Sequence, residues 1–345
     1  MTNKLEKITG KWFLKDIDKI IKNKLTVFSC FHCGGGSSMG YKLAGFDVLG
    51  GVELDSDMMA IYKANFKPKY SYLMSIQEFN KISMEKIPKQ LKELDILDGS
   101  PPCSSFSMAG KREKRWGNEY YFREGQAKQV LDDLFFHFIE TGKRLKPKII
   151  LAENVKGLIM GKARGYVKEI FKEFDNAGYN VQLFLLNSCK MGVPQKRERT
   201  FFLARRKDLN LSEIKLKFDE KVILLGSAIK NVKNLGKIDK IHSKNMISLW
   251  KKCNPGESFS KYHPKGHFFN YSVANPLKPA RTITAGRAPF RWDIPRYLSE
   301  NELKIVQSFP EDYDFLKIKP NYVMGMSVPP FMLQRIAFEI KKQWF

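Results

Sequence analysis

Residues 26–53 read TVFSCFHCGGGSSMGYKLAGFDVLGGVE, and the order of signals in this stretch decides the fold. Thr26-Val-Phe-Ser-Cys-Phe31 is a short apolar run with β-branched and aromatic members, a strand signal. The glycine-rich loop that follows, CGGGSSMG, is Cys33 with Gly34, Gly35 and Gly36 and then small polar residues. Gly40 to Gly45 suits a helix with a glycine end, and Phe46 to Val52 is a second strand closing on Glu53. Strand, glycine loop, helix, strand, acid is the order of a nucleotide-binding βαβ unit. The glycines let backbone approach a ligand, and the acid holds ribose hydroxyls.

The same alternation continues outward. Leu94–Leu97 reads as a strand, 126–144 as a helix, and Lys148–Ala152 as a strand ending in Glu153-Asn-Val155. A helix over 167–177 and strands over Val181–Leu186 and Thr200–Ala204 follow. Such alternation predicts an α/β fold with a doubly wound, mostly parallel sheet, whose ligands sit at the carboxyl ends of the strands. Glu53, Cys103 and Glu153 each fall just past an expected strand end, on the edge that carries the glycine loop. The stretch DGSPPCSSFSMAG (98–110) places Cys103 behind Pro101 and Pro102, which stiffen an extended approach to it. A free cysteine is most often a small buried hydrophobe. Convergence with the two acids makes this one a nucleophile candidate.

Composition narrows the partner. Sixty Lys and Arg against 36 Asp and Glu leave a net charge of +24 in 345 residues, which points to a polyanion, nucleic acid first. Five cysteines make no disulfide framework. Cys30-Phe-His-Cys33 has no second ligand pair to complete a zinc site, so no metal is expected. No apolar run spans a membrane and residues 1–24 lack a secretory signal, which predicts a cytoplasmic protein; Ile8, Trp12, Leu14, Ile17, Ile20 and Ile21 are spaced as on a basic amphipathic helix. Residues 206–280, rich in Lys, Asn and Gly with short apolar runs, read as a smaller basic domain. Pro329-Pro330 opens a final helix.

These motifs, taken in order over residues 26–337, resemble the C5-cytosine DNA methyltransferases. Phe31-His-Cys-Gly-Gly-Gly36 is similar to the family's S-adenosylmethionine loop and Pro101-Pro-Cys103 to its nucleophile motif. Glu153-Asn-Val155 is similar to its glutamate motif and Gln195-Lys-Arg-Glu-Arg199 to its Gln-x-Arg-x-Arg motif. Arg281-Thr-Ile-Thr284 and Gly325-Met-Ser-Val-Pro-Pro330 resemble the motif after the variable domain and the closing one. The resemblance implies a Rossmann-like class I methyltransferase with a catalytic domain at 1–205, completed by 318–345, and a target-recognition domain and hinge at 206–317. It implies S-adenosylmethionine as cofactor and S-adenosylhomocysteine as product. Phe31 would stack on adenine and Glu53 would bind the ribose. Cys33, Gly34, Gly35, Gly36, Leu54, Ser75, Ile76, Pro102, Met326 and Val328 would complete the pocket. Cys33 stands where the family has glycine, Ser75 where it has an acid and Met326 where it has asparagine.

The resemblance also implies a chemistry. Cytosine C5 is a poor nucleophile until a thiolate, here Cys103, adds at C6; this divides one hard step into easier ones. Glu153 would offset charge building on the ring at N3. Arg197 and Arg199, two apart on an extended segment, are expected on one side, at the base, at Glu153 and at flanking phosphates. The base must be flipped from the duplex. A closing loop with Lys111, Arg112, Lys114 and Arg115, with Ser105, Ser107, Gln195, Arg281 and Thr282, would contact DNA. The expected partner is double-stranded DNA, bound by a monomer near the nucleoid, with a separate cognate restriction endonuclease in a restriction-modification pair. Two other substrates or roles stay open: a tRNA cytosine methyltransferase of the same architecture, and a catalytically silent DNA-binding homologue. A nicotinamide-dependent oxidoreductase accounts for the glycine loop and Glu53 but not for the other motifs.

Overall fold

The computed structural model describes residues 10–102, 119–120, 129–130, 133–160, 164–238, 241, 243–268 and 271–345. Two compact units divide the chain: a larger one of residues 20–186, 198–217 and 336–345, and a smaller one of residues 1–19, 187–197 and 218–335.

The larger unit is built on the alternation read above. Strands β1 (Thr26–Cys30), β2 (Asp47–Glu53), β3 (Tyr70–Leu73) and β4 (Ile96–Gly99) are joined through helices α1 (Gly36–Leu43), α2 (Ser56–Phe66), α3 (Ile76–Lys81) and α4 (Lys89–Lys92). Beyond a two-residue antiparallel pair, β5 (Glu119–Tyr120) with β6 (Gln129–Val130), come α5 (Leu134–Leu145), β7 (Ile149–Val155), α6 (Arg164–Asn176), β8 (Tyr179–Asn187) and, after β9 (Gln195–Lys196) of the smaller unit, β10 (Glu198–Arg206). The main sheet runs β3-β2-β1-β4-β7-β10-β8. Strands β3, β2, β1, β4 and β7 are parallel, and β10 is antiparallel to β7. Five parallel strands carry their carboxyl ends to one edge. Because β10 runs the other way, its first residues reach that same edge.

Local chemistry accounts for these elements. Asp55 caps α2 by accepting from the Asp57 and Met58 amides, and Ser75 caps α3 in a reciprocal box with Glu78. Val27, Phe28, Ile96, Leu97, Ile149, Ile150 and Leu151 are fully buried, which explains why these strands read as continuous apolar runs. Between β1 and β2 the register slips: Val27 faces Val48 but Phe28 faces Gly50, so Leu49 is an extra residue. Gly50 takes φ 137°, and a Cβ there would lie 1.8 Å from the Tyr70 carbonyl oxygen. Only glycine fits.

Three sequence expectations shift. Gln129–Val130 is strand rather than helix, so the helix expected from 126 begins at Leu134. Strand β7 runs through Val155, so Glu153 lies inside its last residues rather than past them. The expected N-terminal amphipathic helix is, among described residues, a 3-10 segment at Leu14–Lys19.

The smaller unit holds α7 (Leu225–Ile229), α8 (Lys244–Lys252), β11 (Ala280–Arg281), α9 (Glu300–Gln307), α10 (Pro320–Met326) and the start of α11 (Pro330–Trp344). Its core stacks Phe259, Phe290 and Tyr297, with ring centroids 4.7 and 4.2 Å apart. Elsewhere in this unit Trp12 is buried, donating from Nε1 to the Ser308 carbonyl at 3.0 Å. Glu302 is wholly buried and caps α9 with Ser299, and Arg291 and Arg296 neutralise it. Strand β9 pairs parallel with β11.

Candidate active site

The glycine loop turns sharply after β1. Phe31 and Cys33 both adopt left-handed backbone, with φ of 55° and 47°, and Gly35 follows at 75°. A Cβ on Gly35 would meet the Phe66 ring at 2.4 Å. Cys33 therefore manages the turn with its side chain in place; its Sγ lies 3.6 Å from Met58 Sδ. The loop is tied to β2 by Glu53, whose carboxylate accepts from the Cys33 amide and from the Asp55 amide, each at 3.0 Å. Burial pushes the Glu53 carboxyl up, against these bonds. A fixed carboxylate acceptor at Glu53 and a half-buried aromatic at Phe31 suit, by chemistry, ribose hydroxyls and the face of a purine ring.

Beneath the loop lies a polar layer that sequence reasoning missed. His32 is buried and stacks on Tyr62 at 3.8 Å, its Nδ1–H donating to the Cys33 carbonyl; burial brings its pKa down to about 4. Asp98, at the end of β4, accepts from Ser29 Oγ at 2.8 Å and from Ser37 Oγ at 2.7 Å. It is 2% exposed, and burial raises its pKa to about 6. The available signal was the acid that closes the apolar run Leu94-Asp-Ile-Leu-Asp98.

At the same edge, Glu153 on β7 pairs with Arg199 on β10, Oε1 to Nε 3.0 Å, both largely buried. The antiparallel register sets Phe201 opposite Glu153 and Arg199 opposite Val155, so the two reach each other diagonally. Its neighbour Asn154 donates to the Pro101 carbonyl at 3.1 Å, which ties the two strand-end motifs together.

Several expected positions resolve differently. Arg197 and Arg199 do not act as one pair. Arg197 belongs to the smaller unit, is 2% exposed, and donates to the carbonyls of Ile283 at 3.1 Å and Gly325 at 2.9 Å. The chain leaves β9 for β10 at this point, so two-residue spacing no longer means a shared face. Gln195, expected at DNA, is fully buried: it donates to Val306 and Gln307 and accepts from the Ile283 amide. Arg281 remains exposed with one bond to the Gly256 carbonyl, and the Thr282 hydroxyl donates to the Lys196 carbonyl. Ser75 uses its hydroxyl in the α3 cap, which brings the Glu78 carboxylate to 2.8 Å from its amide, so an acid does stand at this strand end. Ile76 is buried, while Leu54 and Pro102 are partly exposed. Met326 ends α10 and Val328 is buried, both in the smaller unit. Cys103, Ser105, Ser107, Lys111, Arg112, Lys114 and Arg115 lie outside the described residues.

A mostly parallel sheet with a glycine loop and a buried acid at one edge, and a glutamate–guanidinium pair at that same edge, is the architecture of a class I methyltransferase. Residues 25–342 match the C-5 cytosine-specific DNA methylases, and the chain belongs to that family. It is 29% identical over 337 residues to the type II methyltransferase M1.HphI of Haemophilus parahaemolyticus, covering 92% of this chain and 87% of that one. It is 35% identical over 194 residues to M.FnuDI of Fusobacterium nucleatum, which is 56% of this chain and 51% of that protein. A crystal structure of an Escherichia coli prophage-encoded DNA modification methyltransferase shares the fold, with a TM-score of 0.74 at 19% identity over 93% of this chain and 99% of that one. Among the described residues no helix is long and apolar enough to cross a membrane.

Proposed function

We propose that this DNA cytosine methyltransferase moves a methyl group from S-adenosylmethionine to C5 of a cytosine flipped out of a short duplex sequence, through a Cys103–C6 bond that breaks again, returning the thiolate, as the C5 proton leaves and the C5–C6 double bond re-forms. The Glu153–Arg199 pair carries the reading. A carboxylate held beside a guanidinium, on the strand next to the one leading to Pro101-Pro102-Cys103, suits a group that meets the ring nitrogen while charge builds on the base. Bound donor supplies an electrophilic methyl on a sulfonium. The chain's own residues do the rest: Glu53 and Phe31 orient the donor, Glu153 holds a proton at N3, and Arg199 keeps that carboxyl placed. The larger unit is taken as catalytic, and the smaller as carrying sequence recognition, with Arg281 on its exposed face. The type II names of the relatives favour a role beside a restriction endonuclease.

Purified protein, S-adenosylmethionine and duplex DNA containing 5-fluorocytosine test the reading, beside Cys103→Ser and a tRNA carrying the same base. Fluorine at C5 cannot leave as a proton, so the expected result is a denaturation-resistant protein–DNA adduct that Cys103→Ser abolishes. An adduct on tRNA alone moves the substrate to RNA. None on either, with the donor bound, makes the chain a silent binder.

A further inference from the structure

The carboxylate of Asp98 is a buried acid beneath the glycine loop that the proposed chemistry does not use. It sits under the loop between β1 and α1. Ser29 in β1 lies in register with it, and Ser37 in the first turn of α1 donates to the same oxygen. The Ser100 amide, two residues on, donates to the Cys30 carbonyl at 3.3 Å. One side chain therefore joins the strand before the loop, the helix after it and the strand leading to Pro101. The titratable and charged groups that face it are Cys30 on β1, Tyr41 on α1, Tyr62 on α2 and Glu153 on β7. Among the described residues none of these is a cation. Hydroxyl donors stabilise an ionised carboxylate there but do not neutralise it, and a buried charge without a counter-charge is unfavourable.

Resting on the reading that the loop binds S-adenosylmethionine, we infer that Asp98 is a positioning residue whose negative charge makes the loop prefer the cationic sulfonium donor over the neutral thioether product. Transfer breaks the sulfur–methyl bond, leaves the electron pair on sulfur and removes the ligand's positive charge. The carboxylate then loses its counter-charge at the moment the product must leave. Its hydroxyl partners hold it ionised at neutral pH, so the preference fades as the carboxyl takes up a proton, near pH 6.

The experiment compares the dissociation constants of S-adenosylmethionine and S-adenosylhomocysteine by calorimetry on the full chain without DNA, between pH 5 and 7.5. Wild type, Asp98→Asn and Ser37→Ala are measured, with unfolding temperatures alongside. The two ligands share their nucleoside and amino-acid groups, so titrations common to both cancel in the ratio. Asp98→Asn is expected to reduce donor preference about 3- to 10-fold at pH 7.5 and to remove its pH dependence, with an unfolding temperature no lower than wild type. Ser37→Ala removes one donor to the charge and is expected to move the wild-type midpoint upward. An unchanged ratio in folded Asp98→Asn overturns the inference. So does a variant that unfolds earlier and loses both ligands equally, since that marks a structural clamp. If wild type binds neither ligand, the reading of the loop as a methyl-donor site fails, and the inference with it.

Discussion

At the scale of single residues, two arginines separated by one glutamate do unlike work. Arg199 faces a carboxylate that the proposed chemistry uses, and Arg197 closes two backbone carbonyls in the smaller unit. Arg199→Ala leaves Glu153 buried without a partner, which costs about 3 kcal/mol and is expected to slow single-turnover methylation roughly 100-fold. Arg197→Ala strands the Ile283 and Gly325 carbonyls at a similar cost, yet donor binding in the folded fraction should match wild type. Thermal melts, single-turnover assays and donor titration separate the two; an Arg197→Ala protein with wild-type stability would sink the distinction. Asp98 follows a different sign. Its folded pKa, about 6, lies above the ordinary 3.8, so the folded state holds the proton longer as pH rises. Stability from this group is therefore lost between about pH 4 and 6, and the ionised form costs roughly 3 kcal/mol at neutral pH. Retaining a group at such a cost is what a functional charge would demand, and it is why the asparagine variant should not melt early.

At the scale of elements, the edge that carries the site depends on close backbone approaches. A Cβ on Gly51 would lie 2.1 Å from the Ser29 carbonyl oxygen, and one on Gly99 would lie 2.4 Å from the Phe138 ring. Gly51→Ala pushes β2 away from β1 just before Glu53 and just beside Ser29. It is expected to destabilise by about 2 to 3 kcal/mol and to weaken donor binding beyond that loss, as read by calorimetry at a temperature where the variant stays folded. Donor affinity equal to wild type would show that loop placement tolerates the shift. The βαβ opening was legible because strand, glycine loop and acid are all local signals within 28 residues. Glu153 was legible as an acid at a strand end, although β7 reaches two residues beyond it. The separation of Arg197 from Arg199 was not, because it depends on β9 pairing with β11, some 85 residues further along. Asp98 was missed because only its hydroxyl partners, 61 and 69 residues away, make it a buried strand-end acid.

At the scale of the whole molecule, an excess of 24 positive charges sets how the protein meets its substrate. If phosphate contacts dominate, affinity for a 30-base-pair duplex should drop by about 10³ between 50 and 200 mM salt, as for roughly six neutralised phosphates. Fluorescence anisotropy across that range checks it, and a flat response would count against duplex DNA. The path of the chain matters as much as its charge. It passes between the two units five times, and the smaller unit gathers residues 1–19, 187–197 and 218–335. On the ribosome these pieces emerge at widely separated times. The seven strands of the large sheet are all synthesised by Arg206 and can pair while the rest is still being made. Trp12, made before any strand of the sheet, meets the Ser308 carbonyl 296 residues further along, and the Phe331 ring later still. Arg197 likewise waits for Ile283 and Gly325. A nascent chain thus completes its chemistry-bearing sheet first and its second unit last, so a ribosome that stops short of Gly325 releases a protein whose sheet strands are all present but whose smaller unit cannot close.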